Sequence, residues 1–372
     1  MDINVKVKQN LAIRAFYLFF IMENIIIGIG IMGVPMYIYN DARQDAWVSI
    51  LITYVYVLLV LFAMFLILKQ YKNADILGIQ VHVFGRWIGK LLGTIYMVHF
   101  AVTLLIIFVT YIEVVQIFVF PEISPFLMGG LLLILIVYSV LGGLRVIVGV
   151  AFLFFFLSHW LLFLLYDPVT QMELDNFRPF LDASIPDLLR GAKKASFTFL
   201  GFEILFFVYP FIQNKQQAKR PVFLGVTFAA FLVLLDTSIS IGFYSPGLLE
   251  QLEWSVLMLF KSVHLPFINR MDYIVIAEWM MVVLPNMVLL MWGLTFGMKR
   301  LYNIQKKVTL YAMATFLFVA SGFIKYHAYI INLTDTYSQI SFWLVYVYPL
   351  ILLPLVWLKK RRKKAGKGLK KK

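Results

Sequence analysis

Gly28-Ile29-Gly30-Ile31-Met32-Gly33-Val34-Pro35 lies inside an apolar run that extends over about 14–39. Three glycines and a proline within eight residues oppose a continuous helix, because glycine loses the most backbone freedom on ordering and proline has no amide to donate. In lipid, an unwound segment leaves backbone polar groups without water and persists only where it lines a cavity or meets a polar ligand. The stretch therefore predicts a helix broken at mid-membrane. Phe197-Thr198-Phe199-Leu200-Gly201-Phe202-Glu203, followed by Pro210, predicts a second break in another apolar run.

The rest of the chain supplies the membrane that this reading requires. Of 372 residues, 62% are apolar and only 14% charged, against about a quarter charged in a soluble domain. Apolar runs near the length of a bilayer span recur from end to end. Charge, Pro and Asn mark ten candidate helices, at about 14–39, 46–68, 91–119, 126–142, 146–166, 195–213, 222–244, 271–298, 308–328 and 336–358. Helices satisfy their own backbone in lipid, so the predicted fold is all-α: one polytopic membrane domain over 1–358, followed by a basic tail over 359–372.

The net charge of +14 follows the same topology. Lys and Arg number 25 on one side of the predicted membrane and eight on the other, and ten of the 25 form the tail. By the positive-inside rule both termini are cytoplasmic, and the tail is an anchor for anionic lipid, not a nucleic-acid arm. Two amphipathic stretches, 76–90 inside and 248–264 outside, suit short surface helices.

The long loop 167–194 divides the spans into five over about 14–166 and five over about 195–358. Five spans per half give the halves opposite topology, and both weak points fall in the first helix of a half. That is the layout of transporters with inverted repeats, whose solute site sits between broken helices at the bilayer midplane.

Intramembrane carboxylates are costly and mark functional sites by default. Glu23, about a turn before the first break, and Glu203, at the second, are expected to border a shared cavity. Glu113, Asp236 and Glu278 suit hydrogen-bonded structural roles. Of five histidines, His99 and His159 fall in spans, and His159 is a candidate proton-responsive group; His82, His264 and His327 are interfacial or in loops. There is no cysteine. No nucleophilic set, metal-ligand spacing or phosphate-binding loop is present, so neither an enzyme nor a cofactor or metal is expected.

The break at Gly28-Ile29-Gly30-Ile31 with Pro35, the stretch 197–203 and the ten-span layout resemble the amino acid–polyamine–organocation superfamily. Within it, the compact chain, the outer stretch around Trp254 and the basic tail are similar to the endospore germination permeases, the B subunits of germinant receptors, over essentially the whole length. The resemblance implies a leucine-transporter-like 5+5 fold with helices 1 and 6 broken. It implies a location in the inner membrane of a bacterial spore, beside an A subunit and a lipoprotein C subunit. A small nutrient such as an amino acid would be bound and germination signalled. In that reading Gly28, Ile29 and Gly30 supply amides to a carboxylate, Phe199, Gly201 and Phe202 line the opposite wall, Ile31 and Glu203 complete the ligand-binding set, and Glu23 and His159 are candidate coupling or cavity residues.

Two departures bear on coupling. Residues 282–292, Val-Val-Leu-Pro-Asn-Met-Val-Leu-Leu-Met-Trp, contain no Ser or Thr for sodium, and span five offers only His159 as a basic group. These favour a receptor that changes shape on binding; a secondary amino acid or amine permease, proton-coupled, is the alternative.

Overall fold

The computed structural model describes residues 2–263, 270–324 and 327–369. His264, Lys325 and the final tail lysines, 370–372, lie outside them. The described residues are helical, joined by loops and two isolated β-bridges, Asn4 with Ala74 and Ile13 with Ile212. The first part comprises α1 (Leu18–Ile26), α2 (Val34–Ala42), α3 (Ala46–Lys69), α4 (Ile76–Phe84), α5 (Arg86–Phe118), α6 (Pro125–Leu141), α7 (Leu144–Ser158) and α8 (Tyr166–Thr170). The remainder comprises α9 (Ile185–Thr198), α10 (Leu205–Val208), α11 (Lys219–Phe243), α12 (Pro246–Leu249), α13 (Ser255–Lys261), α14 (Met271–Tyr302), α15 (Lys306–Phe323), α16 (His327–Phe342) and α17 (Tyr348–Leu369).

Among the described residues, six helical stretches are long and apolar enough to cross a membrane: Val34–Lys69, Arg86–Phe118, Leu144–Thr170, Lys215–Phe243, Met271–Tyr302 and His327–Arg361. The pair Ile185–Thr198 and Phe202–Phe211, bent by 53°, adds a seventh when taken as one span. The chain is thus a multi-pass membrane protein. The runs expected at 126–142 and 308–328 fall on the shorter α6 and α15, and the first on Ala15–Ile26 followed by α2.

Burial orders the bundle. In α14, 67% of the apolar stretch is covered by protein, and in α5, 61%; these two pack against each other at the centre. In the apolar parts of Leu144–Thr170 and His327–Arg361 only 28% and 33% are covered, so Phe163 and Trp343 are left to face lipid. Around the centre, α1 lies on α11 and α7, while α2 and α3 lie on α9.

Local chemistry sets the boundaries. The stretch 76–90, expected as one surface helix, divides: Ile76–Phe84 forms α4, whose first five residues are buried, and 86–90 open α5; the Asp75 carboxylate caps α4, accepting from Gly78 N at 2.7 Å. Gly85, at φ +87°, turns the chain into α5. The stretch 248–264 forms two short helices, α12 and α13, in place of one stripe.

The sixth expected span starts about ten residues earlier than hydropathy indicates. Ser184 caps α9 by accepting from Asp187 N at 3.3 Å, and Pro186 sits in the first turn, where no amide is missed. Arg190, Lys193 and Lys194 on that helix mask it from an apolar count.

Candidate functional site

The first weak stretch interrupts its helix. The last α-type bond of α1 runs from Ile27 N to Glu23 O, at 2.9 Å; Ile27 is extended, and a 3-10 turn covers Ile29–Met32 before α2 begins. Pro35 does not break a ladder as the sequence suggests: it stands in the first turn of α2, where helices leave amides unbonded. It starts a helix. The second stretch ends α9 at Thr198, passes through Gly201 at φ +113° and resumes with a 3-10 turn at Phe202–Ile204.

The two interruptions touch. A Cβ on Gly201 would lie 2.6 Å from the carbonyl oxygen of Ile25, and one on Gly30 would lie 3.1 Å from Thr198 Oγ1. Asn286 of the central α14 completes the contact, donating from Nδ2 to Ile25 O at 3.0 Å. A Cβ on Gly28 would meet that same Nδ2 at 2.7 Å. A helix end inside lipid leaves its last carbonyls without intrahelical donors, and Asn286 supplies one. Asn286→Ala is expected to destabilise the protein by about 1–3 kcal/mol, the cost of orphaning a buried acceptor, seen as a lower unfolding midpoint in detergent; an unchanged midpoint would remove this clamp.

Between the interruptions lies a chamber of about 40 Å³, bordered by Gly28, Gly30, Thr103, Thr198, Gly201 and Asn286. Ile29, Gly30, Phe197 and Thr198 also border a second cavity of about 620 Å³, so the two spaces adjoin at those four residues. Its walls are charged. Arg190, Lys193 and Lys194 come from α9, and Asp41, Glu253 and Asp335 from other elements, with Tyr37 and Trp254 among them. Lys194 pairs with Asp41 at 2.9 Å and Arg190 with Asp187. At the rim, His327 joins Glu113, at 2.9 Å, to Glu253, at 2.7 Å, and Tyr37 donates to Glu253 at 3.3 Å.

Sequence-derived residues therefore separate into groups. Gly28, Ile29, Gly30 and Gly201 line the chamber. Ile31 faces elsewhere, and Phe199, Phe202 and Glu203 border neither space: both phenyl rings are fully buried, Phe202 edge-on to Tyr346. Glu203 has both oxygens engaged within the protein, Oε2 accepting from Gly201 N at 2.8 Å and Oε1 meeting His99 Nε2 at 2.8 Å. The Tyr337 hydroxyl meets the other ring nitrogen of His99 and lies 2.8 Å from Thr103 Oγ1. Glu203 thus props the interruption from behind.

Glu23 does not share a space with Glu203, contrary to expectation. It points the other way, toward a separate cavity of about 80 Å³ between α1, α7, α11 and α14, where His159 Nε2 stands 3.3 Å from Glu23 Oε1 and Asn24 donates to Oε2 at 2.8 Å. Ile31 and Asp236 border the same space. Among the described residues no group of three His, Asp or Glu side chains is arranged to hold a metal ion.

The sequence reading missed Thr103, Thr198 and Asn286. Asn286 lies within 282–292, and its signal is a lone amide among ten apolar residues.

A family profile described as spore germination protein, the spore permease family, matches residues 12–329. Among curated proteins, the chain is 31% identical over 347 residues to the spore germination protein GerQB of Bacillus cereus, covering 93% of this chain and 95% of that one. It is 23% identical over 355 residues to the spore germination protein B2 of Bacillus subtilis (strain 168), covering 93% and 95%. It is 21% identical over 349 residues to the spore germination protein YndE of the same organism, covering 92% and 96%.

Proposed function

The chain belongs to the spore germination permease family, and from that premise we propose that it is the nutrient-sensing membrane subunit of a germinant receptor. It binds a small solute between the two helix interruptions and signals by a change in their packing. The observation that carries this reading is the contact of both interruptions around one chamber beneath a charged antechamber. Unwound backbone can offer amides and carbonyls to a polar ligand, and helix starts favour an anionic group. The opposed cations of α9 and carboxylates Glu253 and Asp335 suit a zwitterion such as an amino acid.

In this reading the ten helical segments form two five-helix halves of opposite topology, and the antechamber opens away from the cytoplasm. Both termini are cytoplasmic, as the 25 to eight bias of Lys and Arg supports. The protein resides in the spore inner membrane with an A subunit and a lipoprotein C subunit. A chamber of 40 Å³ is smaller than an amino acid, so binding has to part the interruptions. The solute shifts the protein only by its difference in affinity between the closed and parted arrangements.

The test is a panel of amino acids, sugars and nucleosides titrated onto the purified full chain in lipid nanodiscs, with Gly30→Val alongside. One class should bind, and the variant, which presses on Thr198, should weaken it by about ten- to a hundredfold, the equivalent of overpacking a tight contact. Affinity indifferent to Gly30→Val would remove the chamber. Gradient-driven accumulation of the bound solute in proteoliposomes would identify a permease in place of a receptor.

A further inference from the structure

We infer that the chain carries a binding site for the headgroup phosphate of an anionic phospholipid, in a crevice of about 380 Å³ beside the start of α1 and α7. The crevice is bordered by Arg14, Tyr17, Arg145, Val148, Phe152 and Gln213, and no Asp or Glu contributes to it. Among the described residues neither guanidinium has a carboxylate within ion-pair distance, although both are exposed. Arg145 is held in place by backbone: Nε and Nη2 donate to Ala12 O at 3.2 and 3.1 Å, and Nη2 reaches Gln9 O at 3.4 Å. Two neighbouring guanidiniums without counter-charge, Arg145 fixed and Arg14 free to adjust, make an anion site, since their forked donors match phosphate oxygens.

The occupant is a lipid and not a free anion because the crevice runs on into an apolar face. Val146, Leu153 and Phe156, exposed by 41%, 54% and 59%, lie three to seven residues apart along α7, and Gly149 sits between them. A Cβ on Gly149 would meet nothing within 4 Å, so the helix surface is recessed there. Tyr17 stacks edge-on to Phe152, 6.0 Å away, and forms one wall. A headgroup on the two arginines would leave its acyl chains along this face, the arrangement of basic pockets that hold anionic lipids between spans.

The position gives the lipid leverage. Ile13, next to Arg14, accepts from Gln213 N at 3.0 Å and donates to Phe211 O at 2.8 Å. The crevice therefore sits where the segments leading into the first interruption and out of the second are tied together.

The test uses the full chain in phosphatidylcholine nanodiscs doped with phosphatidylglycerol, with lipid retention read by native mass spectrometry. Wild-type protein should retain phosphatidylglycerol over phosphatidylcholine, and inorganic phosphate at millimolar concentration should not displace it. Arg14→Gln and Arg145→Gln should each reduce retention about fivefold, the effect of one basic residue near an anionic surface. Gly149→Leu, which fills the recess without altering charge, should reduce it as well. Arg86→Gln, an exposed arginine at the start of α5, should leave it unchanged. Equal loss in Arg86→Gln would show diffuse attraction and overturn the site, as would retention indifferent to Arg14→Gln and Gly149→Leu. Displacement by inorganic phosphate would make it a small-anion site and overturn the lipid assignment.

Discussion

Gly201→Ala is expected to lower stability by about 2–6 kcal/mol and to abolish solute binding, while the chain still inserts into membranes. Two effects add. Gly201 stands at φ +113° and ψ −26°, where a residue with a Cβ is strained by about 1–3 kcal/mol. The new methyl would also lie 2.6 Å from both Ile25 Cγ1 and Ile25 O, and forcing atoms into a packed contact costs about another 1–3 kcal/mol. Relief requires the interruptions to separate, which pulls Ile25 O from Asn286 and distorts the chamber. Gly130→Ala is the control: in α6 its Cβ would meet only Phe318 Cε2, at an ordinary 3.6 Å, and alanine favours helix by up to about 1 kcal/mol. Thermal unfolding of the two variants in detergent, with solute titration, separates them. A Gly201→Ala midpoint equal to that of Gly130→Ala would mean that the two interruptions are not in contact.

What could be read from the sequence was local. Glycine clusters weaken a helix wherever the fold puts it, so Gly28, Gly30 and Gly201 announced the interruptions without knowledge of their neighbours. What could not be read depends on a second element. Asn286 looks like one amide in an apolar helix until Ile25 O, freed 261 residues earlier, arrives beside it. Glu203 looks like a ligand group until Gly201 N and His99 occupy both its oxygens. Pro35 shows the converse limit: the same residue ends one helix or starts the next, and only the placement of the first turn decides. Glu23 was drawn toward the chamber by its nearness in sequence, but a helix turns 100° per residue and its face belongs to α7 and His159.

A comparably large effect is expected at the buried His99–Glu203 pair, whose side chains are 2% and 0% exposed. Removing one member leaves the other without its partner in a water-free site, which costs about 3–5 kcal/mol for a charged group. His99→Leu strands Glu203 Oε1, while the Tyr337 hydroxyl keeps Thr103 and the backbone oxygen of residue 99; Glu203→Leu strands His99 Nε2 and Gly201 N. Replacing both at once removes the mutual penalty, since a buried pair exchanged for apolar residues of similar volume is often near neutral. Gly201 N still lacks its acceptor in the double variant, a residual cost of about 1–3 kcal/mol. Unfolding midpoints of the four proteins should therefore be strongly non-additive, the double variant more stable than either single one. Losses that add to within about 0.5 kcal/mol would mean that the pair does not couple. Solute affinity adds an independent readout. Because Glu203 holds the amide of Gly201, and Thr103 of the chamber wall touches Tyr337, the double variant should regain stability without regaining affinity. Recovery of both would assign the pair to packing alone.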